Sequence, residues 1–132
     1  MTAPEPSSPA TASRIQGIRI LIVEDEPFIA FDLMMAIEDA GAVAIGPAAT
    51  VAEAIDFLGV ERPDSAIADV HLPDGTIAAF LDVLPAEIPV VVHTGVGLPP
   101  EVRARHPGVP VFSKPTAPGI LLARLAEKLA AR

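Results

Sequence analysis

Short runs of aliphatic and β-branched residues alternate along this chain with segments whose apolar residues recur at helical spacing. The runs are Ile18–Val23, Val43–Ile45, Ser65–Val70, Pro89–His93 and Val109–Ser113. Short, continuously apolar runs of this kind are typical of strands buried on both faces of a parallel sheet. Strands that alternate with helices predict an α/β domain with right-handed crossovers and with helices on both faces of the sheet.

The segments between these runs predict the helices. They begin at Pro27 and end before Gly41, and then cover Val51–Leu58, Thr76–Leu84, about Glu101–His106 and Pro118–Ala130. Thr50 and Glu53 form a potential capping box at the start of the second helix. The fourth helix is short, because the glycines and prolines between Gly95 and Gly108 leave room for only about one turn.

Length and composition restrict the classes of protein that fit. A chain of 132 residues accommodates one ordinary domain, and the Pro-, Ser-, Thr- and Ala-rich residues 1–14 predict a disordered tail before a domain over residues 15–132. The formal net charge of −8 argues against nucleic-acid binding, and the absence of cysteine excludes thiolate chemistry. No apolar run approaches a membrane span and no signal peptide is evident, so we expect a cytoplasmic protein.

Polar side chains gather at the predicted carboxyl ends of the strands. They are Glu24, Asp25, Asp69, Thr94 and Lys114. In parallel sheets of this class the ligand site lies beyond these strand ends. Three carboxylates offer the oxygen ligands that Mg²⁺ prefers, and a lysine and a threonine can bind phosphoryl oxygens. The pattern therefore predicts phosphoryl transfer to Asp69 with Mg²⁺ bound beside it. Taken singly, each residue is equally compatible with a turn, a helix cap or a solvated loop.

Three motifs closely resemble those of response-regulator receiver domains in two-component signalling. They are Leu21-Ile22-Val23-Glu24-Asp25-Glu26-Pro27, Asp69-Val70-His71-Leu72-Pro73-Asp74-Gly75 and Ser113-Lys114-Pro115. The resemblance covers about residues 19–130 and implies a flavodoxin-like, doubly wound sheet of five parallel strands in the order 2-1-3-4-5. It implies Asp69 as phosphoacceptor, and Mg²⁺ held by Glu24, Asp25, Asp69 and the backbone carbonyl of His71. It also implies that Thr94 and Lys114 bind the phosphoryl group.

The chain departs from the usual receiver pattern around the fourth and fifth strands. Typical receivers carry an aromatic residue three positions before the lysine, where this chain has Val111, and the adjacent Phe112 must point to the opposite face. The segment from His93 to Gly97 resembles, imperfectly, the Phe-Ala-Thr-Gly-Tyr motif of an atypical receiver group with a short or mobile fourth helix. We therefore hypothesise that residues 95–108 are flexible until Thr94 engages a phosphoryl group.

The resemblance also implies protein partners. A histidine kinase or phosphotransfer protein would be the donor and a further protein the target, and the chain would catalyse only its own phosphorylation and dephosphorylation. Phe31, Met34 and Met35 form a second apolar patch on the first predicted helix, which suggests a docking surface. One alternative is a receiver-like adaptor or inhibitor that does not use phosphorylation. Another is a phosphatase of the haloacid-dehalogenase type, which would need an acid where His71 stands.

Overall fold

The central sheet has five parallel strands. The computed structural model describes residues 9–131, and the strands of its main sheet are β1 (Arg19–Val23), β2 (Val43–Ala48), β3 (Ser65–Ala68), β4 (Val90–Thr94) and β5 (Val111–Ser113). Every neighbouring pair is parallel, and the spatial order is β2-β1-β3-β4-β5. The predicted flavodoxin-like order 2-1-3-4-5 is confirmed.

Helices cover both faces of this sheet. They are α1 (Pro9–Ile15), α2 (Pro27–Asp39), α3 (Val51–Glu61), α4 (Ala78–Val83), α5 (Pro100–Arg105) and α6 (Pro118–Ala131). One buried apolar cluster lies between the sheet and α1, α2 and α6, and the other lies between the sheet and α3, α4 and α5. Successive β1 residues alternate between the two clusters, because strand side chains point to opposite faces. None of the helices within residues 9–131 is long and apolar enough to cross a membrane.

Helix α1 corrects the boundary of the predicted N-terminal tail. Residues 9–14 are helical rather than disordered, whereas residues 1–8 lie outside the described part of the chain. The side chain of Ile15 is fully buried in the cluster that α2 and α6 also line. The backbone amide of Gly17 donates to the carbonyl of Gly41 over 2.8 Å, which fixes the exit from the helix. Tertiary packing thus supports a short helix that the local composition does not predict.

The predicted capping box is present at the start of α3. The hydroxyl of Thr50 accepts a hydrogen bond from the amide of Glu53 over 3.0 Å. The Glu53 carboxylate in turn accepts from the amide of Ala49 over 2.7 Å, one residue earlier than in the standard arrangement. The backbone amides of Ala49 and Glu53 thereby find hydrogen-bond acceptors within the first turn of α3 and the residues just before it.

One carboxylate ties α4 to α5. Asp82 accepts hydrogen bonds from Arg105 at 2.7 Å and is paired with Nε2 of His106 at 2.9 Å. Helix α5 has six residues and matches the short helix expected over Glu101–His106 to within one residue. We call these three side chains the α4–α5 clasp. It attaches the end of the glycine- and proline-rich crossover to the rest of the domain.

Candidate functional site

The residues singled out from the strand ends meet at one edge of the sheet. Glu24 and Asp25 follow β1, Asp69 follows Ala68 at the end of β3, Thr94 ends β4 and Lys114 follows β5. Each strand delivers its polar residue at the point where its neighbours also end, because the strands are parallel and in register. The buried strands therefore position a set of groups that are distant in the sequence.

Three of these residues form an acidic cluster that can hold a metal ion. Glu24, Asp25 and Asp69 can each offer a carboxylate oxygen such that all three oxygens lie within 4.8 Å of one another. Glu24 and Asp69 are buried, whereas Asp25 is exposed, so the cluster opens to solvent on one side. Hard oxygen donors with an open side suit Mg²⁺, which usually keeps water molecules and substrate oxygens among its ligands. The residues present therefore fit the implied metal.

Lys114 lies against this cluster and makes three close contacts. Its Nζ lies 2.8 Å from Oδ2 of Asp69, 3.0 Å from Oε1 of Glu24 and 2.9 Å from Oε2 of Glu26. The contact with Glu26 was not anticipated from the sequence, where this residue reads only as a third acid before a helix. Its position directly after the acidic pair was the available signal. One ammonium group thus neutralises part of the repulsion among the acids.

The pKa values of Glu24 and Lys114 are both raised, but for different reasons. Burial raises the pKa of Glu24, and the hydrogen bond from Lys114 only partly opposes this. Burial alone would lower the pKa of Lys114, but its hydrogen bonds to Asp69, Glu26 and Glu24 outweigh that effect and raise the pKa above its ordinary value. Lys114 is therefore a permanent cation at neutral pH, as binding of a phosphoryl oxygen requires.

Asp69 is fixed in place by its own backbone. Its amide donates to the carbonyl of Val23 over 2.9 Å, and its Oδ1 accepts from the amide of Val70 over 2.6 Å. The chain then enters a two-stranded hairpin, His71–Leu72 with Gly75–Thr76, which matches the predicted turn. His71 is exposed in this hairpin, and its role as a carbonyl ligand stays a prediction.

The same hairpin caps helix α3. The Asp74 carboxylate accepts hydrogen bonds from the amides of Val51 and Ala52 over 2.8 and 3.0 Å. These two amides lower the pKa of Asp74 below its ordinary value. The tie connects the segment after the phosphoacceptor candidate to a helix more than 20 residues earlier in the chain, and sequence reasoning did not find it.

Thr94 and the β5 residues show the expected arrangement at the other side of the site. Thr94 is buried, and its hydroxyl accepts from the amide of Val96 over 3.3 Å while remaining able to donate. Val111 packs with the α3–α5 cluster and Phe112 with the α1, α2 and α6 cluster. The two side chains therefore lie on opposite faces of the sheet, as the strand period predicts.

The apolar patch on α2 differs in part from the predicted one. Phe31 and Met35 are 54% and 43% exposed, but Met34 is half-buried and packs against the core. Phe28, which is 87% exposed, lies on the same helix one turn before Phe31. The exposed patch therefore consists of Phe28, Phe31 and Met35, and we call it the α2 patch.

Comparison of the sequence with characterised proteins identifies two bacterial regulators. The chain is 42% identical over 79 residues to the phyllosphere-induced regulator PhyR of Methylorubrum extorquens, a match that covers 57% of this chain and 30% of that protein. It is 33% identical over 115 residues to the transcriptional regulatory protein PdtaR of Mycobacterium tuberculosis, which covers 85% of this chain and 54% of that protein. The chain thus spans about half or less of these relatives. No protein-family model matches it.

Solved structures give the same result for the fold. The response regulator PhyR from Brucella abortus superposes with a TM-score of 0.75 at 31% identity, over 92% of this chain and 51% of that one. A CheY-like response regulator receiver domain protein from Methanospirillum hungatei superposes with a TM-score of 0.77 at 28% identity, over 86% of this chain and 94% of that one. Together with the sheet order, these relatives and structures support a response regulator receiver domain.

Proposed function

We propose that this domain accepts a phosphoryl group on Asp69 from a phosphohistidine of a histidine kinase or a phosphotransfer protein. The observation that carries the proposal is the placement of Lys114 Nζ within 3.0 Å of carboxylate oxygens of both Asp69 and Glu24. A buried nucleophile, a permanent cation and an open acidic cluster are the groups that phosphoryl transfer to a carboxylate requires.

The transfer exchanges one bond to phosphorus for another. A carboxylate oxygen of Asp69 attacks the phosphorus and an acyl phosphate forms. The bond from phosphorus to the donor imidazole breaks with its electron pair passing to that nitrogen, and the donor, whose other ring nitrogen carries a proton, leaves as a neutral histidine. Lys114 moves its contact from the Asp69 carboxylate to a phosphoryl oxygen, which offsets the charge that the group brings. Thr94 donates its hydroxyl to another phosphoryl oxygen. The Lys114 backbone is held by the hydrogen bond from its amide to the carbonyl of Thr94 over 2.8 Å, and the Thr94 hydroxyl is held by the amide of Val96, so only the Lys114 ammonium has to change partner.

The acidic cluster supplies the metal site in this proposal. Glu24, Asp25 and Asp69 would hold Mg²⁺, with the backbone carbonyl of His71 as a further ligand. The bound ion would neutralise phosphoryl oxygens and the carboxylates around them. Because the Lys114 ammonium already contacts the carboxylates of Asp69 and Glu24, the ammonium and the metal would compete for the same oxygens. Glu26 is outside the cluster and can retain Lys114 when the other acids change partner.

The α2 patch is the surface on which we expect the phosphodonor to dock. Helix α2 begins at Pro27, directly after the acidic cluster, so a partner seated on Phe28 and Phe31 would reach the rim of the site. Exposed phenylalanine and methionine side chains on an otherwise charged surface favour protein contact. The signal would pass to a further protein target in the cytoplasm rather than to a metabolic substrate. A similar solved structure from Bartonella quintana is described as the anti-anti-sigma factor PhyR, and we infer a protein target for this chain by analogy.

Residues 95–108 are the segment that we expect to respond to phosphorylation. They connect Thr94 to β5 and contain only the six-residue α5 as regular structure. The resemblance of residues 93–97 to the Phe-Ala-Thr-Gly-Tyr group supports an ordering of this segment when Thr94 engages the phosphoryl group. Backbone amide relaxation that is equally restricted with and without a phosphoryl mimic would contradict this part of the proposal.

The proposal is tested by amide NMR during titration with Mg²⁺ and then with beryllofluoride, a phosphoryl mimic. We expect shifts around Asp25, Asp69, Thr94 and Lys114 in the wild type and in the control Asp39→Asn, which removes the same charge at the far end of α2. The shifts caused by beryllofluoride should be absent in Asp69→Asn. If all three proteins are silent, the adaptor function is favoured, in agreement with Val111 in place of the usual aromatic residue.

A further inference from the structure

His93 is a buried imidazole beside the site that the proposed chemistry does not use. It lies in β4 directly before Thr94, is 5% exposed, and belongs to the face of the sheet that α2 and α6 cover. Its Nε2 accepts a hydrogen bond from the backbone amide of Thr116 over 3.2 Å. That amide lies two residues after Lys114, so the imidazole contacts the turn that carries the site's cation.

We propose that His93 is a positioning residue for Lys114, because its neutral imidazole anchors the turn over residues 114–116 through the amide of Thr116. The inference rests on the proposed function only for its consequence in phosphoryl binding. The anchoring itself concerns the protein without any ligand.

Two neighbouring residues of β4 hold this turn at its two ends. The carbonyl of Thr94 accepts from the amide of Lys114 over 2.8 Å, and His93 accepts from the amide of Thr116. The hydroxyl of Thr116 also donates to the carbonyl of Ser113 over 2.5 Å, which closes the turn on itself. The carboxylates of Asp69, Glu24 and Glu26 hold the ammonium at its tip, and the position of the backbone beneath the long, flexible side chain decides how well the ammonium reaches them.

Open space borders the turn on the side of His93. A cavity of about 120 Å³ lies between α2 and the turn, lined by Ile29, Leu33, His93, Pro115, Thr116 and Pro118, together with Asp32 and Lys114. With open space beside it, the turn is not fixed by close contact with α2. The hydrogen bond to His93 is therefore the directional contact that sets its position from this side.

The other ring nitrogen of His93, Nδ1, is buried without a hydrogen-bond partner among the described residues, which destabilises the folded protein. When Nε2 accepts, Nδ1 carries the proton, and among the described residues no hydrogen-bond partner for Nδ1 is present. Burial, and the nearby charge of Lys114, lower the pKa of His93, although Asp69 and Glu26 oppose this. The ring is thus kept neutral and able to accept. An apolar residue would avoid the unpaired nitrogen, so the acceptor at Nε2 is the property that distinguishes histidine here.

The first test is made on the protein without ligands. Long-range nitrogen-15 NMR should show a neutral ring with the proton on Nδ1. Relaxation of the Lys114 side chain should show an ordered ammonium group in the wild type, a more mobile one in His93→Leu, and recovery in His93→Gln, whose amide oxygen can accept from Thr116. His93→Leu should be at least as stable as the wild type to denaturant. A charged ring, or equal lysine order in His93→Leu and wild type, would overturn the proposal.

The second test separates this inference from the proposed function. Beryllofluoride affinity should fall roughly ten-fold in His93→Leu, in the range seen when an outer partner of a binding group is removed, whereas Mg²⁺ affinity should not fall, because a looser Lys114 competes less for the oxygens of Asp69 and Glu24. Equal beryllofluoride affinity in the two proteins would refute the positioning role. If the wild type does not bind beryllofluoride, the proposed function fails, but the lysine relaxation still decides whether His93 positions Lys114.

Discussion

Replacement of Lys114 by methionine is the perturbation whose effect the structure defines best. Methionine keeps most of the length of the side chain but removes the ammonium that contacts Asp69, Glu24 and Glu26. The exposed fractions of the Lys114, Asp69 and Glu24 side chains are 14%, 10% and 2%, so these charges are weakly screened. The variant would leave two buried carboxylates facing each other without a cation.

The magnitude follows from these contacts. Removal of one partner of a buried ion pair costs about 3–5 kcal/mol, whereas the contact with the 59% exposed Glu26 adds little. Glu24 has a raised pKa and can take up a proton, which relieves part of the repulsion. We therefore expect Lys114→Met to lower the free energy of unfolding by about 3 kcal/mol without divalent cations, the lower end of that range.

Magnesium should reverse part of this loss. At the proposed metal site of the wild type, Mg²⁺ would have to displace Lys114 from Asp69 and Glu24, whereas in the variant these oxygens have no competing ammonium. If the variant binds Mg²⁺ ten-fold more tightly than the wild type, saturating Mg²⁺ reduces the difference between their free energies of unfolding by about 1.4 kcal/mol. Urea unfolding in EDTA and in Mg²⁺ measures both values.

Lys128→Met is the matched control, because within the described part of the chain the Lys128 ammonium, on α6, contacts only the carbonyl of Gly108, over 3.3 Å. It should change neither the stability in EDTA nor the response to Mg²⁺. A Lys114→Met protein as stable as the wild type in EDTA, or one whose deficit is the same with and without Mg²⁺, would show that the lysine and the metal do not share the acidic cluster.

Three further predictions concern the surroundings of the site. Asp74→Ala should lower the melting temperature and speed hydrogen exchange at Val51, because an α3 amide loses its acceptor; unchanged exchange would contradict the cap. Phe31→Asp should slow transfer from the cognate kinase about ten-fold without unfolding the domain, while Val60→Asp, at an exposed position of α3, should not; equal rates would exclude docking at the α2 patch. Because the pKa of folded His93 lies below its ordinary 6.5, the unfolded chain binds more protons as the pH falls below 6.5. Stability should therefore decline over that range, and less steeply in His93→Leu; parallel pH profiles would contradict this.

The sequence was sufficient for the sheet and for the residues that meet at its edge. Buried parallel strands are continuous apolar runs, and the polar residue that ends each run is visible by itself, as with Asp69 and Lys114. Contacts that depend on the relative position of distant segments could not be predicted. The cap of α3 by Asp74 joins residues 23 positions apart, and the anchor between His93 and Thr116 depends on the exact course of a loop.

Helix α1 and the α2 patch show a second limit. The stretch before Ile15 has the composition of a disordered tail, and its helix depends on a core that only the folded domain provides. Helical spacing placed Met34 beside Phe31, but the depth at which α2 sits against the sheet determines which of them is exposed. Periodicity gives the direction of a side chain and not its distance from the core.

The α4–α5 clasp and the contacts of Lys114 should differ in their response to ionic strength. The side chains of Asp82 and Arg105 are 44% and 48% exposed, so salt at physiological concentration and above weakens their attraction. The Lys114 contacts with Asp69 and Glu24 are shielded from solvent ions. Rising salt would therefore loosen the crossover that contains α5 while leaving the contacts around Asp69 intact. Residues 95–108 would then be more mobile at high salt than at low salt, while the contacts at the strand ends stay the same.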